Sequence, residues 1–215
     1  MARVARRGGP GGDFCMAKRG GRGTVGRAPL PPVMKKFLLL FCLSVAGLWA
    51  QSEKIDLGGR GKLTIYLADT WTFETSDFGD RKIVKISPKG SGVNAHCEMT
   101  ITFPETDRFD TNARLKMRVE IDGMKFADQS VEGKARAQEF SLRSGSGFYC
   151  NFTDPNLVGR PAKQGDYKTI SVGLIRLAPD VLIEVAINAD GFNSAPYNDL
   201  LGAIEGMEFK AAGGR

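Results

Sequence analysis

From Lys62 onward, hydrophobic and polar positions follow the two-residue period of half-buried strands. Leu63, Ile65 and Leu67 alternate with Thr64 and Tyr66. Trp71 and Phe73 open a second stretch, and the turn around Asp77 and Asp80 leads into a third, at Ile83, Val84 and Ile86. The clearest run follows, with Ala95, Cys97, Met99, Ile101 and Phe103 on one face and His96, Glu98, Thr100 and Thr102 on the other, closed by Pro104. Residues 135–142 and 148–153 predict a strand pair around the Ser144, Gly145, Ser146, Gly147 turn. Ile170, Val172 and Leu174, then Val181, Ile183, Val185 and Ile187, predict a hairpin turning at Pro179 and Asp180.

Two segments depart from this period. Over 111–127, Leu115, Met117, Val119 and Ile121 alternate as a strand would, with Asp122 and Gly123 able to turn a hairpin. Met117, Ile121 and Met124 also fall on one helical face beside Leu115, Val119 and Phe126, and Asp110 or Thr111 can cap it; a helix is the expectation. Near the end, Ser194 and Pro196 mark a helix start, Leu200, Leu201, Ile204 and Met207 form its apolar stripe, and Gly206 stops it. The fold class expected is α+β: a mostly antiparallel sheet with about two helices packed on it.

The start of the chain reads differently. Residues 1–33 hold eight Gly and four Pro with no apolar period, too little apolar surface to offset ordering entropy. They read either as a basic tail or as sequence upstream of a true start at Met34, and the second is expected. Lys35 and Lys36 precede an apolar run over 37–50, shorter than the ~20 residues a membrane-spanning helix needs. That is the layout of a secretion signal cleaved after Ala50, so the expected location is periplasmic or secreted, with no transmembrane anchor in the remaining domain of 51–215.

Charge changes meaning once the leader is set apart. The whole chain is +6, but residues 1–33 carry seven Lys/Arg and one acid, while 51–215 carry 21 Lys/Arg against 23 Asp/Glu. A near-neutral domain lacks the clustered cations that nucleic-acid binding requires, so no nucleic-acid partner is expected.

Little catalytic chemistry stands out. His96 is the lone histidine, and on a strand it points away from its neighbour Cys97, so it reads as a solvated residue beside Glu98. No nucleophile elbow or phosphate loop occurs; Gly58, Gly59, Arg60 and Gly61 read as a flexible start to the domain. Asp77 and Asp80 read as turn residues, not calcium ligands. No catalytic residue, metal site or cofactor is expected. Cys15 and Cys42 fall before the domain, leaving Cys97 and Cys150 on apolar strand faces as a disulfide or as two buried thiols. Asn151 and Thr153 match a glycosylation acceptor inside an expected strand, a weak signal. The long loop over 154–166, with Asp154, Arg160, Lys163 and Asp166, is the first place to look for binding, which a concave apolar pocket beside it would mark; the plainer reading, and the favoured one, is that Asp154 and Pro155 begin a turn and Leu157 and Val158 tuck under the sheet.

Trp71, Thr72 and Phe73 after a first strand, Ser130 to Lys134 before a strand pair, the run from Phe152 to Gly159 opening the long loop, and a closing helix with Leu200 to Ile204 give an order of elements. That order resembles the PsbP-like and DcrB-like group of small exported α/β/α proteins, and uncharacterised bacterial periplasmic proteins of that shape. The resemblance implies an α/β/α sandwich and an accessory or binding role, and it carries over no catalytic residues. The expected function is that of an exported, non-enzymatic accessory or binding protein for an unknown protein or small ligand. The alternative is a small exported hydrolase or thiol enzyme using Cys97, Cys150 or His96.

Overall fold

The computed structural model describes residues 50–213. The expected leader (1–33), the signal run up to residue 49, Cys15 and Cys42 lie outside the described residues. Ten strands and two α-helices follow in the order β1 (Ala50–Asp56), β2 (Gly61–Ala68), β3 (Trp71–Asp77), β4 (Arg81–Pro88), β5 (Ala95–Thr102), α1 (Asn112–Ala127), β6 (Gln138–Glu139), β7 (Ser146–Thr153), β8 (Thr169–Ala178), β9 (Val181–Ala189), α2 (Ala195–Glu205) and β10 (Glu208–Ala211). The fold is α+β. A seven-stranded sheet has the order β3-β4-β5-β9-β8-β7-β6, a three-stranded sheet has the order β1-β2-β10, and every pairing is antiparallel. Among the described residues no helix is long and apolar enough to cross a membrane.

The large sheet is buried on one face along most of its width. Val84, Ile86, Cys97, Met99, Ile101, Ile183, Val185 and Ile187 share a core with Ile55, Leu63, Ile65 and Leu67 of the small sheet and with Tyr197, Leu200 and Ile204 of α2. Each fully buried aliphatic side chain in such a core contributes about 1.5–3 kcal/mol of transfer free energy. The opposite face is covered only in part. There α1 lies over β7 and β8, and Leu115 and Val119 meet Phe148, Cys150, Phe152 and Leu174 in a second, smaller core.

The glycines at 58–61 are not a loose start to the domain. They form a 3-10 turn joining β1 to β2, and the Leu57 N–H bonds to the Gly61 carbonyl at 2.8 Å. Gly61 has φ +133°, and a Cβ there would sit 2.2 Å from the Lys210 carbonyl, so only glycine lets β10 close against β2.

Residues 111–127 resolve as a helix. Thr111 is its N-cap, its hydroxyl oxygen accepting from the Arg114 N–H at 3.3 Å. The buried stripe, however, is Leu115, Val119, Gly123 and Ala127, whereas Met117, Ile121 and Met124 are 56%, 54% and 63% exposed. Gly123 sets that orientation. A Cβ at this position would lie 3.0 Å from the Ala135 Cβ, 3.2 Å from Phe152 and 3.3 Å from the Cys150 sulfur, so its absence lets the helix backbone settle onto β7. The expected strand over 135–142 shrinks to the two residues of β6, while the hairpin of β8 and β9 forms as expected. α2 starts at the Ser194 cap, whose oxygen accepts from the Tyr197 N–H at 3.4 Å, and ends at Gly206.

Candidate functional site

The disulfide expectation fails on register. Cys97 pairs with Ile187, Ile187 with Ser171, and Ser171 with Asn151. Cys97 therefore shares a row with Asn151, one residue out of step with Cys150. Because strand side chains alternate, the two sulfurs lie on opposite faces of the sheet and cannot bond. Both are free and fully buried. Burial, with a smaller push from Glu98, raises the Cys97 thiol to about 12. Burial, with Glu120 adding and the Arg136 backbone opposing, raises Cys150 to about 11. Sequence reading placed both thiols in one core; the sheet has two.

The glycosylation signal at Asn151 also falls inside the fold. The Asn151 side-chain oxygen accepts from the Ser171 hydroxyl at 2.6 Å and the Tyr197 hydroxyl at 3.5 Å, which ties β7 and β8 to α2. Burial pushes the Tyr197 phenol up to about 12 even though its contact with Ser171 acts the other way, so it stays neutral there.

His96 is half-buried instead of solvated. Its Nε2 lies 3.2 Å from the Asn188 side-chain nitrogen, and its ring meets Tyr167 edge-on at 4.7 Å. Burial holds the imidazole below its ordinary value, with Glu98 pulling up and Lys85 down. His96 stands on the face opposite Cys97, so the structure does not bring these two together.

The four charged residues of the long loop separate. Asp154 caps the 3-10 turn Pro155–Leu157, its Oδ1 accepting from the Asn156 backbone at 2.8 Å and from the Asn156 side chain at 3.0 Å. Arg160, Lys163 and Asp166 are exposed. A cavity of about 300 Å³ does adjoin the loop, walled by Phe126, Phe152, Ile170 and Tyr167, with Asp154 and Lys168 at its edge; Arg160, Lys163 and Asp166 are not part of it. The loop is held by a residue that sequence reading passed over. The Asn94 side-chain nitrogen donates to the Asp166 carbonyl at 2.8 Å and the Asp190 carboxylate at 2.7 Å, and its oxygen accepts from the Gly165 N–H at 3.1 Å.

A second concavity has an apolar floor, and sequence reading did not find it. Because α1 covers β7 and β8 and stops short of β5, a groove of about 320 Å³ runs between the helix and the bare part of the sheet. Its floor is Val172, Leu174, Leu182 and Ala186, and its helix wall is Val119 and Phe126. Glu98, Thr100, Thr102 and Glu184 line the open sheet side, and Arg118 and Asp122 line the helix side. Phe109 closes one end. The loop carrying Phe109 is pinned by a two-pronged ion pair: Arg176 Nε donates to Asp107 Oδ1 at 3.1 Å and Nη2 donates to Oδ2. That guanidinium holds the Asp107 carboxyl below its usual range. Phe126, stacked on Phe152 at 5.6 Å, borders both concavities and divides them.

Among the described residues, no group of three or more His, Cys, Asp or Glu is placed to hold a metal ion. No protein-family model matches this sequence, and no curated protein is significantly similar to it.

Proposed function

We propose that this chain is an exported binding protein that holds its ligand in the groove between α1 and strands β5 and β9. The observation that carries the reading is the groove floor. Val172, Leu174, Leu182 and Ala186 present an apolar bed between the core under α1 and the polar positions Glu98, Thr100 and Thr102 of the same sheet face, walled by Phe109 and Phe126. Its volume lies at the lower end of the range that encloses small molecules, and apolar lining with a few polar groups is the usual make-up of such sites. Export is supported by the cationic start at Lys35 and Lys36, the apolar run that follows, and the near-neutral remainder of the chain. The resemblance to small exported accessory proteins points the same way.

Two measurements test this. The N-terminus of the protein recovered from its own cells, read by mass spectrometry, lies at or near Gln51; recovery of the uncut chain as the working form refutes export. Titration with Nile red, an uncharged apolar dye, gives saturable fluorescence enhancement. Ala186→Trp, which fills the half-buried floor, abolishes it with the circular dichroism spectrum retained. Equal dye binding by this variant, or none by the parent, refutes the groove.

A further inference from the structure

We infer that the ligand of this groove is an amphiphilic cation, an apolar body carrying one ammonium group, with Glu184 as its anchor. This rests on the groove being the binding site.

Three carboxylates and one guanidinium line the groove. The guanidinium is committed: Arg118 Nε sits 2.6 Å from Asp122 Oδ2, and Lys125 approaches the other oxygen of Asp122 at 3.4 Å. Glu98 has Lys85 at 3.5 Å, its cross-strand partner. Glu184 is different. Among the described residues no cation lies within 4 Å of it, and it stands directly across from Thr100 at the middle of the open side. On the same strand, Leu182 and Ala186 flank it two residues away on the same face, so the carboxylate rises from the apolar bed.

Phe109 and Phe126 border the same groove, so aromatic surface adjoins the carboxylate, although one face of Phe126 is stacked on Phe152. An aromatic ring attracts a cation through its negative face, and the effect is largest for alkylated ammonium groups that shed water easily. A site built of aliphatic floor, phenyl walls and one uncompensated carboxylate disfavours an anion by repulsion. It binds a neutral alcohol through the floor alone, and binds an ammonium with the same chain through floor, rings and charge together.

The net positive charge of the whole chain lies before residue 51, and residues 51–215 carry 21 Lys/Arg against 23 Asp/Glu, so the groove is reported by a cation preference that depends on Glu184 and not by overall charge. Octyltrimethylammonium, 1-octanol and octanoate, identical in chain length, are titrated against the full chain preloaded with Nile red, each variant being referred to its own dye affinity. The parent releases the dye at an ammonium concentration about tenfold below that of octanol, with octanoate the weakest. Glu184→Gln brings the ammonium to the level of octanol, and Glu184→Lys moves octanoate ahead. Glu74→Gln, an exposed change on edge strand β3, leaves the parent order intact. Equal release by ammonium and octanol in the parent, or a preference that survives Glu184→Gln, overturns the cation inference while leaving the groove standing. Failure of Nile red itself to bind removes the groove and this inference together.

Discussion

Two thiols on opposite faces of one sheet should be silent toward alkylation until the chain unfolds. At pH 8 an ordinary cysteine with a pKa of about 8.5 is about one-quarter thiolate. With Cys97 raised to about 12 and Cys150 to about 11, their thiolate fractions fall to about one in ten thousand and one in a thousand. Ionisation alone then slows iodoacetamide by about two thousandfold at Cys97 and two hundredfold at Cys150 relative to a free thiol. Complete burial of both sulfurs slows the reagent further. The assay pulses the folded and the urea-unfolded chain with iodoacetamide and follows each cysteine by peptide mass spectrometry, which also separates them from Cys15 and Cys42. Both peptides are expected unmodified in the fold and fully modified in urea. Recovery of Cys97 and Cys150 as one cross-linked peptide pair, or alkylation of folded Cys97 at anything near the unfolded rate, refutes the placement of the two rows.

Three further outcomes follow from the packing. Gly123→Val drives a branched side chain into Ala135, Phe152 and Cys150 and lowers the unfolding free energy by about 1–3 kcal/mol, read from urea midpoints. Because the His96 pKa is depressed in the fold, the unfolded chain takes up its proton first as pH falls below about 6.5. The contribution is therefore complete above that pH and is lost below it, and the drop in urea midpoint between pH 7 and pH 5.5 shrinks in His96→Gln. Tyr197→Phe removes the hydroxyl that meets Ser171 at 2.8 Å and costs about 1 kcal/mol, because Ser171 keeps its bond to Asn151.

Where local pattern decides structure, the sequence was readable. Strand β5 alternates without a break, the hairpin of β8 and β9 has a clean turn, and Ser194 and Gly206 bracket α2. The misses arise where distant residues decide. Strand β1 has a mostly polar run whose only fully inward aliphatic is Ile55, and it becomes a strand by pairing with β2. The existence of α1 was legible from Thr111, but its orientation was not, since a glycine face outranks the Met117, Ile121 and Met124 stripe only when β7 is there to receive it. The groove was invisible for the same reason. Its floor residues come from β8 and β9, its wall from α1, and its end from a loop tied down by Arg176. In the loop over 154–166 the turn at Asp154 and Pro155 was legible from those two residues, whereas Asn94, a single amide far upstream that fastens the loop, was not.

The small sheet imposes an order on assembly. Strand β2 lies between β1, its neighbour in sequence, and β10, and the Tyr66 hydroxyl reaches Glu208 142 positions along the chain. A polypeptide emerging from the ribosome can make the first of these pairings early. It cannot make the second, or seat α2 over the inner face, until the region past Ser194 has been released. Until then Leu63 and Ile65 lack the part of their cover that Leu200 and Ile204 supply, and the inner core closes last at its C-terminal side.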